Sequence, residues 1–392
     1  METDLLALKA EIKRLARQHG FPLVGIARAE PFHAAEQTIT TRIADGLFSG
    51  LPWFTADRAR FSCDPRNHLP DAATLIALGT SYYAGEAESA GDDGPRGRVA
   101  RYAWGRDYHR ELEERLTAFC TDLRAIGPPG LRLKTFVDTG RMVDRAVAVR
   151  AGLGWYGKNA NLLTRGLGSW VFLAEVLTNL PLPPDVPLRT NCGACQRCQP
   201  VCPTGAILGP GVIDNDRCIS FLTIELRGPI PRQLRPLIGD WIFGCDLCQE
   251  VCPVNRRAAP AALDAFRPER GIGARPVLLP LLALSEEEFR QRFRDSPVRR
   301  AGRRGLLRNV CVALGNLGDR RAIPALGRAL ADSDPLVRGH AAWALGRLGG
   351  PEARRLLAER QVCEDDAWVR QEIALALAEL DAVPGGPAGS GG

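Results

Sequence analysis

Residues 191–203 read Asn-Cys-Gly-Ala-Cys-Gln-Arg-Cys-Gln-Pro-Val-Cys-Pro, and residues 245–253 read Cys-Asp-Leu-Cys-Gln-Glu-Val-Cys-Pro. The first stretch spaces Cys192, Cys195, Cys198 and Cys202 as C-x2-C-x2-C-x3-C-P. Three closely spaced thiolates wrap the corners of one iron–sulfur cubane, and the proline turns the fourth toward a different cluster. The second stretch holds only Cys245, Cys248 and Cys252, and Cys218 lies between the two. The total is eight thiols, the number that two [4Fe–4S] clusters require. Crossed ligation assigns Cys192, Cys195, Cys198 and Cys252 to cluster 1, and Cys202, Cys218, Cys245 and Cys248 to cluster 2. Structural zinc is the competing reading, but zinc ribbons pair C-x2-C and do not end in C-x3-C-P.

The rest of the composition agrees with a reducing compartment. Seven of the twelve cysteines fall in the two stretches, while Cys63, Cys120, Cys311 and Cys363 stand alone and are expected to be bland. Cysteines in a chain without a secretory signal read as metal ligands before disulfides. Met1 to Lys13 carries acids among its leucines and lacks a basic n-region, so it does not read as a signal peptide. No stretch approaches the roughly 18 apolar residues of a membrane span. The expected location is cytoplasmic, with no membrane partner. The net charge is +6, and Lys9, Lys13, Lys134 and Lys158 are the only lysines, so the positive charge is nearly all arginine.

Four regions separate along the 392 residues. Residues 1–184 alternate helical and strand-like patterns and are expected to form an α/β (or α+β) domain. Leu5, Leu8, Ile12 and Leu15 have helical spacing, as does Glu111 to Ile126; Phe21 to Ile26, Thr74 to Gly79, Leu133 to Val137 and Trp170 to Leu177 read as strands. Leu180-Pro181-Leu182-Pro183-Pro184 reads as a stiff linker, and residues 85–97 as a surface loop. Residues 185–284 hold the ferredoxin-like two-cluster module and a linker. Residues 285–381 are helical and repetitive: Asp334-Pro335-Leu336-Val337-Arg338 recurs as Asp366-Ala367-Trp368-Val369-Arg370, and Leu314-Gly315-Asn316-Leu317-Gly318 as Leu345-Gly346-Arg347-Leu348-Gly349. Units of this length stack as helix pairs, and their spelling resembles short HEAT-like repeats. Residues 382–392 are rich in Gly and Pro and are expected to be a disordered tail.

Clusters alone make an electron carrier, and the long region before them needs another role. It contains, in order, Arg101-Tyr102-Ala103-Trp104-Gly105-Arg106-Asp107-Tyr108-His109, Val137-Asp138-Thr139-Gly140, Ala151-Gly152-Leu153-Gly154-Trp155-Tyr156-Gly157-Lys158-Asn159 and Gly168-Ser169-Trp170-Val171-Phe172-Leu173-Ala174-Glu175. Arg217-Cys218-Ile219-Ser220-Phe221-Leu222-Thr223-Ile224-Glu225 follows inside the cysteine module. This ordered series, together with the terminal repeats, resembles the epoxyqueuosine reductases over residues 1 to about 380.

The resemblance implies a cobalamin enzyme that acts on tRNA. Its substrate would be epoxyqueuosine at the wobble position, reduced to queuosine in the last step of that nucleoside's synthesis. Base-off cobalamin would lie beside the cluster module, and an external ferredoxin or flavodoxin would supply electrons to a monomeric enzyme. Cobalt(I) would attack the epoxide while an acid protonates the leaving oxygen. Asp138 matches the family's acidic position, and burial is expected to keep its carboxyl protonated near neutral pH. Read from its neighbours alone, Asp138 is instead a helix N-cap before Met142 to Val147. The corrin contacts implied are Arg101, Asp138, Lys158, Ser220 and Asp246. Asp107-Tyr108-His109 begins like a cobalt-ligating Asp-x-His-x-x-Gly motif, but Leu112 replaces the glycine, so it is read as a near-miss. Gly152 to Gly157 spells Gly-x-Gly-x-x-Gly without a preceding strand, which removes the dinucleotide reading and suggests close approach to the corrin instead.

Eight arginines and one acid lie between Arg290 and Arg308. Arg299, Arg303, Arg304 and Arg308 are expected to present a basic helical face to tRNA phosphates. Two other readings remain open from sequence: a small-molecule reductase of the reductive-dehalogenase kind, and a non-catalytic iron–sulfur adaptor whose repeats bind a protein.

Overall fold

The structure is a computed structural model that describes residues 2–86 and 94–382. Most of the expected 85–97 loop and all but the first residue of the expected tail lie outside the described residues. Two compact units are present. The first comprises residues 1–86, 101–218 and 246–271, and the second residues 87–100, 219–245 and 272–392. The expected linear division into 1–184, 185–284 and 285–381 therefore does not match the compact units. The cysteine module is shared between them, with Cys245 alone of its eight thiols in the second.

The first unit is built on helices α1 (Glu2–Gln18), α2 (His33–Ala44), α3 (Ala56–Cys63), α4 (Tyr108–Ile126) and α5 (Asp144–Arg150). Its strands include β1 (Leu23–Arg28), β2 (Thr74–Ser81), β3 (Leu133–Phe136), β4 (Gly154–Tyr156), β5 (Leu162–Thr164) and β6 (Val171–Thr178). Four of them form an antiparallel sheet in the order β1-β2-β6-β3, so the domain takes the α+β form of the expectation. Every residue of β2 is buried, as a strand covered on both faces must be. Strand β6 alternates faces: Phe172, Ala174 and Val176 join the core under α1 and α4, while Leu173 and Leu177 pack toward α5. Helix α4 buries Leu112, Leu116, Phe119 and Leu123 along one stripe. The expected stiff linker is a strap laid on this domain. Leu180 and Leu182 enter its core, and Asp185 pairs with Lys9 at 2.8 Å and Lys13 at 2.6 Å.

The second unit contains α6 (Ile219–Ile224), α7 (Gly302–Leu317), α8 (Ile323–Ala329), α9 (Pro335–Leu348), α10 (Gly350–Cys363) and α11 (Ala367–Ala382). Helices α7, α9 and α11 pack in series. The repeated glycines explain how they approach. A Cβ on Gly315 would meet the Ala344 Cα at 3.0 Å, and one on Gly346 the Ala376 Cα at 3.0 Å. Trp343 is buried and Trp368 packs on His340, as solenoid core residues do. His340 is wholly buried; its Nδ1 donates to Leu336 O at 2.7 Å and its Nε2 accepts the Ile230 N–H at 3.2 Å. That pairing fits neutral imidazole, and burial pushes its pKa well down. Buried Arg235 forks onto Glu372 of α11 at 2.6 and 2.9 Å.

Candidate functional site

Asp138 lies two residues beyond β3, in the turn before α5, with φ of 43°. Left-handed backbone disfavours most side chains but tolerates Asp and Asn. Helix α5 begins only at Asp144 and its N-cap is Val143, so Asp138 is not the cap. Its side chain is 59% exposed. The expectation that burial protects its proton is therefore corrected: the carboxyl faces outward.

Helix α4 supplies its neighbours. The Tyr108 hydroxyl donates to Asp138 Oδ2. The Tyr108 ring stacks on Phe172 at 4.2 Å and on His109 at 4.1 Å, which fixes the direction of that hydroxyl. His109 Nε2 lies 3.6 Å from Asp138 Oδ2, and its Nδ1 lies 2.8 Å from Asp107 Oδ1. Burial alone would lower the His109 pKa, but the Nδ1 hydrogen bond to Asp107 and the nearby Asp138 carboxyl prevail and raise it to about 9. The ring thus stands between two carboxyl groups, hydrogen-bonded to Asp107 and within ion-pair reach of Asp138. Sequence reading set His109 aside as a fragment of a cobalt-binding motif; its offset from α4's N-cap Asp107 was the signal that it starts this helix.

Behind the turn, Glu175 occupies the α5 side of β6 and is 1% exposed. It is register-paired with Ala77 on β2 and with Phe136 on β3. Its carboxyl meets that of Asp144. Among the described residues, neither Glu175 oxygen nor Asp144 Oδ1 finds an N–H or O–H donor. Sequence reading passed over both. Asp144 looks like an ordinary first-turn acid, and Glu175 like one polar position in an apolar strand.

The thiols are unpaired in any disulfide, and those of the module are half-buried. Cys198 lies within electrostatic reach of Cys192, Cys195 and Cys252, the four residues of the first expected set. Burial raises the Cys248 thiol strongly, and Cys218, Asp246, Cys198 and Cys202 add to it. Thiols whose ionised forms would repel one another suit a cationic iron–sulfur core, which binds thiolates and offsets that repulsion. The segment carrying Cys248 and Cys252 is clamped to the sheet domain. Asn255 Oδ1 accepts the Ser169 N–H at 2.7 Å, Asn255 Nδ2 donates to Ser169 Oγ at 2.8 Å, and Asn159 Nδ2 reaches Cys248 O at 3.2 Å. Gly168 permits this, since a Cβ there would stand 2.1 Å from Asn255 Oδ1.

The expected corrin contacts separate. Arg101 is buried beside Tyr83, Trp104 and Trp170. Its N–H donates to Asp246 Oδ2 at 2.7 Å, which joins two of the expected residues. Lys158 Nζ binds Gly193 O at 2.8 Å. Ser220 is half-buried on α6 in the other unit. Packing within the protein by itself requires two glycines of the Gly152 to Gly157 run. Cβ atoms on Gly152 and Gly154 would meet Val186 O at 2.6 Å and Leu163 O at 2.3 Å. A large amide- and phosphate-bearing group still fits this unit: Arg101 Nε and Trp155 Nε1 are buried donors with no acceptor among the described residues.

The arginine series is not one helical face. A 3-10 turn carries Arg299 and ends at Gly302 (φ 69°), and α7 begins there. Arg308 is 1% exposed and donates to Leu222 O at 2.6 Å and to Leu226 O and Gly228 O at 2.8 Å, so no phosphate reaches it. Arg303 is committed to Asp332 at 2.5 Å. Arg299 and Arg304 remain exposed. With Arg227 and Arg300 they line a cavity of about 250 Å³. Arg338 pairs with Glu364 at 2.7 Å, as a structural repeat arginine.

A family model described as epoxyqueuosine reductase QueG, DUF1730, matches residues 63–139. A 4Fe-4S double cluster binding domain matches residues 191–255, and HEAT repeats match residues 299–378. The chain is 40% identical over 345 residues to the epoxyqueuosine reductase of Xanthomonas campestris pv. campestris, covering 87% of this chain and 96% of that protein. It is 35% identical over 382 residues to that of Bacillus subtilis strain 168, covering 97% of each. A crystal structure of an epoxyqueuosine reductase with a tRNA-Tyr epoxyqueuosine-modified stem loop superposes with a TM-score of 0.89 at 35% identity, over 96% of this chain and 100% of the other. A Bacillus subtilis structure described as having its catalytic aspartate loop swung out of the active site superposes equally, at 34% identity and over the same shares.

Proposed function

The chain belongs to the epoxyqueuosine reductase family, and from that membership we propose how its own residues carry out the reaction. It is an oxidoreductase with two [4Fe–4S] clusters and cobalamin, and it reduces epoxyqueuosine in tRNA to queuosine. Removing the epoxide oxygen as water takes two electrons and two protons. When bound, the cofactors supply the electrons: the clusters pass them singly, and cobalamin gathers them into a carbon-seeking reductant.

Asp138 delivers a proton to the epoxide oxygen as its C–O bond breaks. The observation that carries this role is its exposed carboxyl on a left-handed turn, aimed by the Tyr108 hydroxyl. Ring stacking on Phe172 holds Tyr108 rigid, so Asp138 is oriented before the substrate arrives. Cys192, Cys195, Cys198 and Cys252 hold one cluster; Cys202, Cys218, Cys245 and Cys248 hold the other. The buried donors of Arg101 and Trp155 hold amide or phosphate oxygens of cobalamin, with Asp246 bracing Arg101. Arg299, Arg300, Arg304 and Arg227, around their shared cavity, take the tRNA backbone.

No helix among the described residues is long and apolar enough to cross a membrane. A cytoplasmic monomer supplied by an external low-potential carrier suits a tRNA substrate. The test is anaerobic. Enzyme reconstituted with clusters and cobalamin, plus a low-potential reductant, is incubated with tRNA from cells lacking it, and the nucleosides are read by mass spectrometry. Cobalamin-dependent loss of one oxygen from epoxyqueuosine is expected. Its absence with both cofactors bound overturns the reading.

A further inference from the structure

An exposed acid beside an imidazolium is poorly placed to keep a proton. His109, whose pKa its acidic neighbours raise to about 9, stands 3.6 Å from Asp138, and an opposite charge at such range favours the carboxylate. Asp107, 2.8 Å from the same ring, offsets part of that pull. Something further is needed if Asp138 is to arrive protonated, and the interior behind the turn holds a candidate.

Asp144 and Glu175 bring two carboxyl groups into contact with no donor for three of their four oxygens. Two acceptors can hydrogen-bond only if one carries a proton, and leaving both ionised in an apolar layer is far costlier than protonating one. Leu173 and Leu177, on the same face of β6, and Val147 and Ala148 of α5 supply that layer. The geometry places the pair next to the catalytic turn. Glu175 is paired with Phe136, two residues before Asp138, and Asp144 closes the turn that Asp138 begins.

We propose that Asp144 and Glu175 share a single proton and act through Asp138 as positioning residues, their one remaining negative charge holding the Asp138 carboxyl in its protonated form. This rests on the reading of Asp138 as the acid. Burial first, and the Asp138 charge next, push Asp144 up to about 8. Burial and the Asp144 charge push Glu175 higher in the same direction. The repulsion is mutual, so the charge on the pair raises the proton affinity of Asp138 as well. Other groups facing the pair are Arg145, beside Asp144 on α5, which opposes the shift, and Tyr156 of β4. Strand β2 contributes no ionisable side chain.

The variants distinguish charge from structure. In Glu175→Gln an amide hydrogen replaces the shared proton and Asp144 keeps the charge. In the double variant Asp144→Asn/Glu175→Gln the shape remains and the charge is gone. The single-turnover rate of pre-reduced holoenzyme on epoxyqueuosine tRNA should fall as pH rises through the Asp138 pKa. That limb should stay in place in the single variant and move about one pH unit lower in the double variant. A folded, cofactor-loaded double variant with an unmoved limb overturns the proposal. Infrared spectra of the full chain without cobalamin give a second reading. Wild type should keep a protonated-carboxyl band at pH 7 that the double variant lacks, and no such band in wild type also overturns the pair. If Asp138→Asn turns over normally while the band is present, the failure lies with Asp138 as the acid, not with the shared proton.

Discussion

Asp138 sits in a backbone conformation that Asn shares and alanine does not. Asp138→Asn therefore tests chemistry without breaking the turn. We expect turnover to drop by roughly 100-fold or more, with clusters and cobalamin retained; spectra of the purified variant and the nucleoside assay check both halves. Tyr108→Phe keeps the ring stack and deletes only the hydroxyl that aims Asp138. Its kcat should fall on the order of tenfold with KM little changed, as steady-state kinetics would show. His109 has a folded pKa of about 9, above the ordinary ~6.5. A raised pKa adds stability below the unfolded value and loses it as pH rises through the folded one. The stability difference between wild type and His109→Gln should thus be greatest near pH 6 and shrink toward pH 9, measured by denaturant melts. Asp138 stood out in the sequence only through the family resemblance of its motif, since its neighbours alone read as a helix cap. Asp144 and Glu175 were not, because only strand register brings them together and no local pattern marks a tertiary contact.

Among elements, the two ends of the arginine series make opposite predictions. Arg308→Ala would strand one buried and two part-buried carbonyls, a buried one costing roughly 1–3 kcal/mol, and should lower stability by about 3 kcal/mol. Arg299→Ala and Arg304→Ala should change it by no more than about 0.5 kcal/mol while flattening the salt dependence of tRNA binding. Melts and filter binding over a salt series separate the two. Helical spacing alone could not distinguish these residues. The glycine at 302 breaks the run, and burial of Arg308 depends on carbonyls more than 80 residues away in sequence. Strands β1, β2 and β6 were legible because their apolar runs are explicit, and β3 (Leu-Lys-Thr-Phe) only as the start of the run that ends at Val137. Helices α2 and α3 were missed because α2 buries no residue and α3 is short, so neither displays a clear stripe.

At the scale of the molecule, the thiols that were plainest in the sequence belong to a module that is not a unit in space. Motif spacing reports ligands, whereas compactness reports where apolar surface is buried, and the two need not coincide. Residues 186–204, beyond the anchored strap, contain no helix or strand, so bound clusters would be their main source of order. Stripping iron with a chelator should open residues 186–204 to protease and hydrogen exchange while α9 and α11 stay protected. Mass spectrometry of the fragments checks this.

The Arg235–Glu372 fork carries a genetic consequence. Arg235 lies in the stretch between Cys218 and Cys245, yet the carboxylate that answers its buried charge, Glu372, stands in the last of the described helices. Removing one partner of such a pair costs roughly 3–5 kcal/mol. A premature stop codon just ahead of residue 372 would spare every thiol and every group near Asp138. It should nonetheless score as a null allele, through instability spread from the far end of the reading frame, and not as a mild defect in substrate capture.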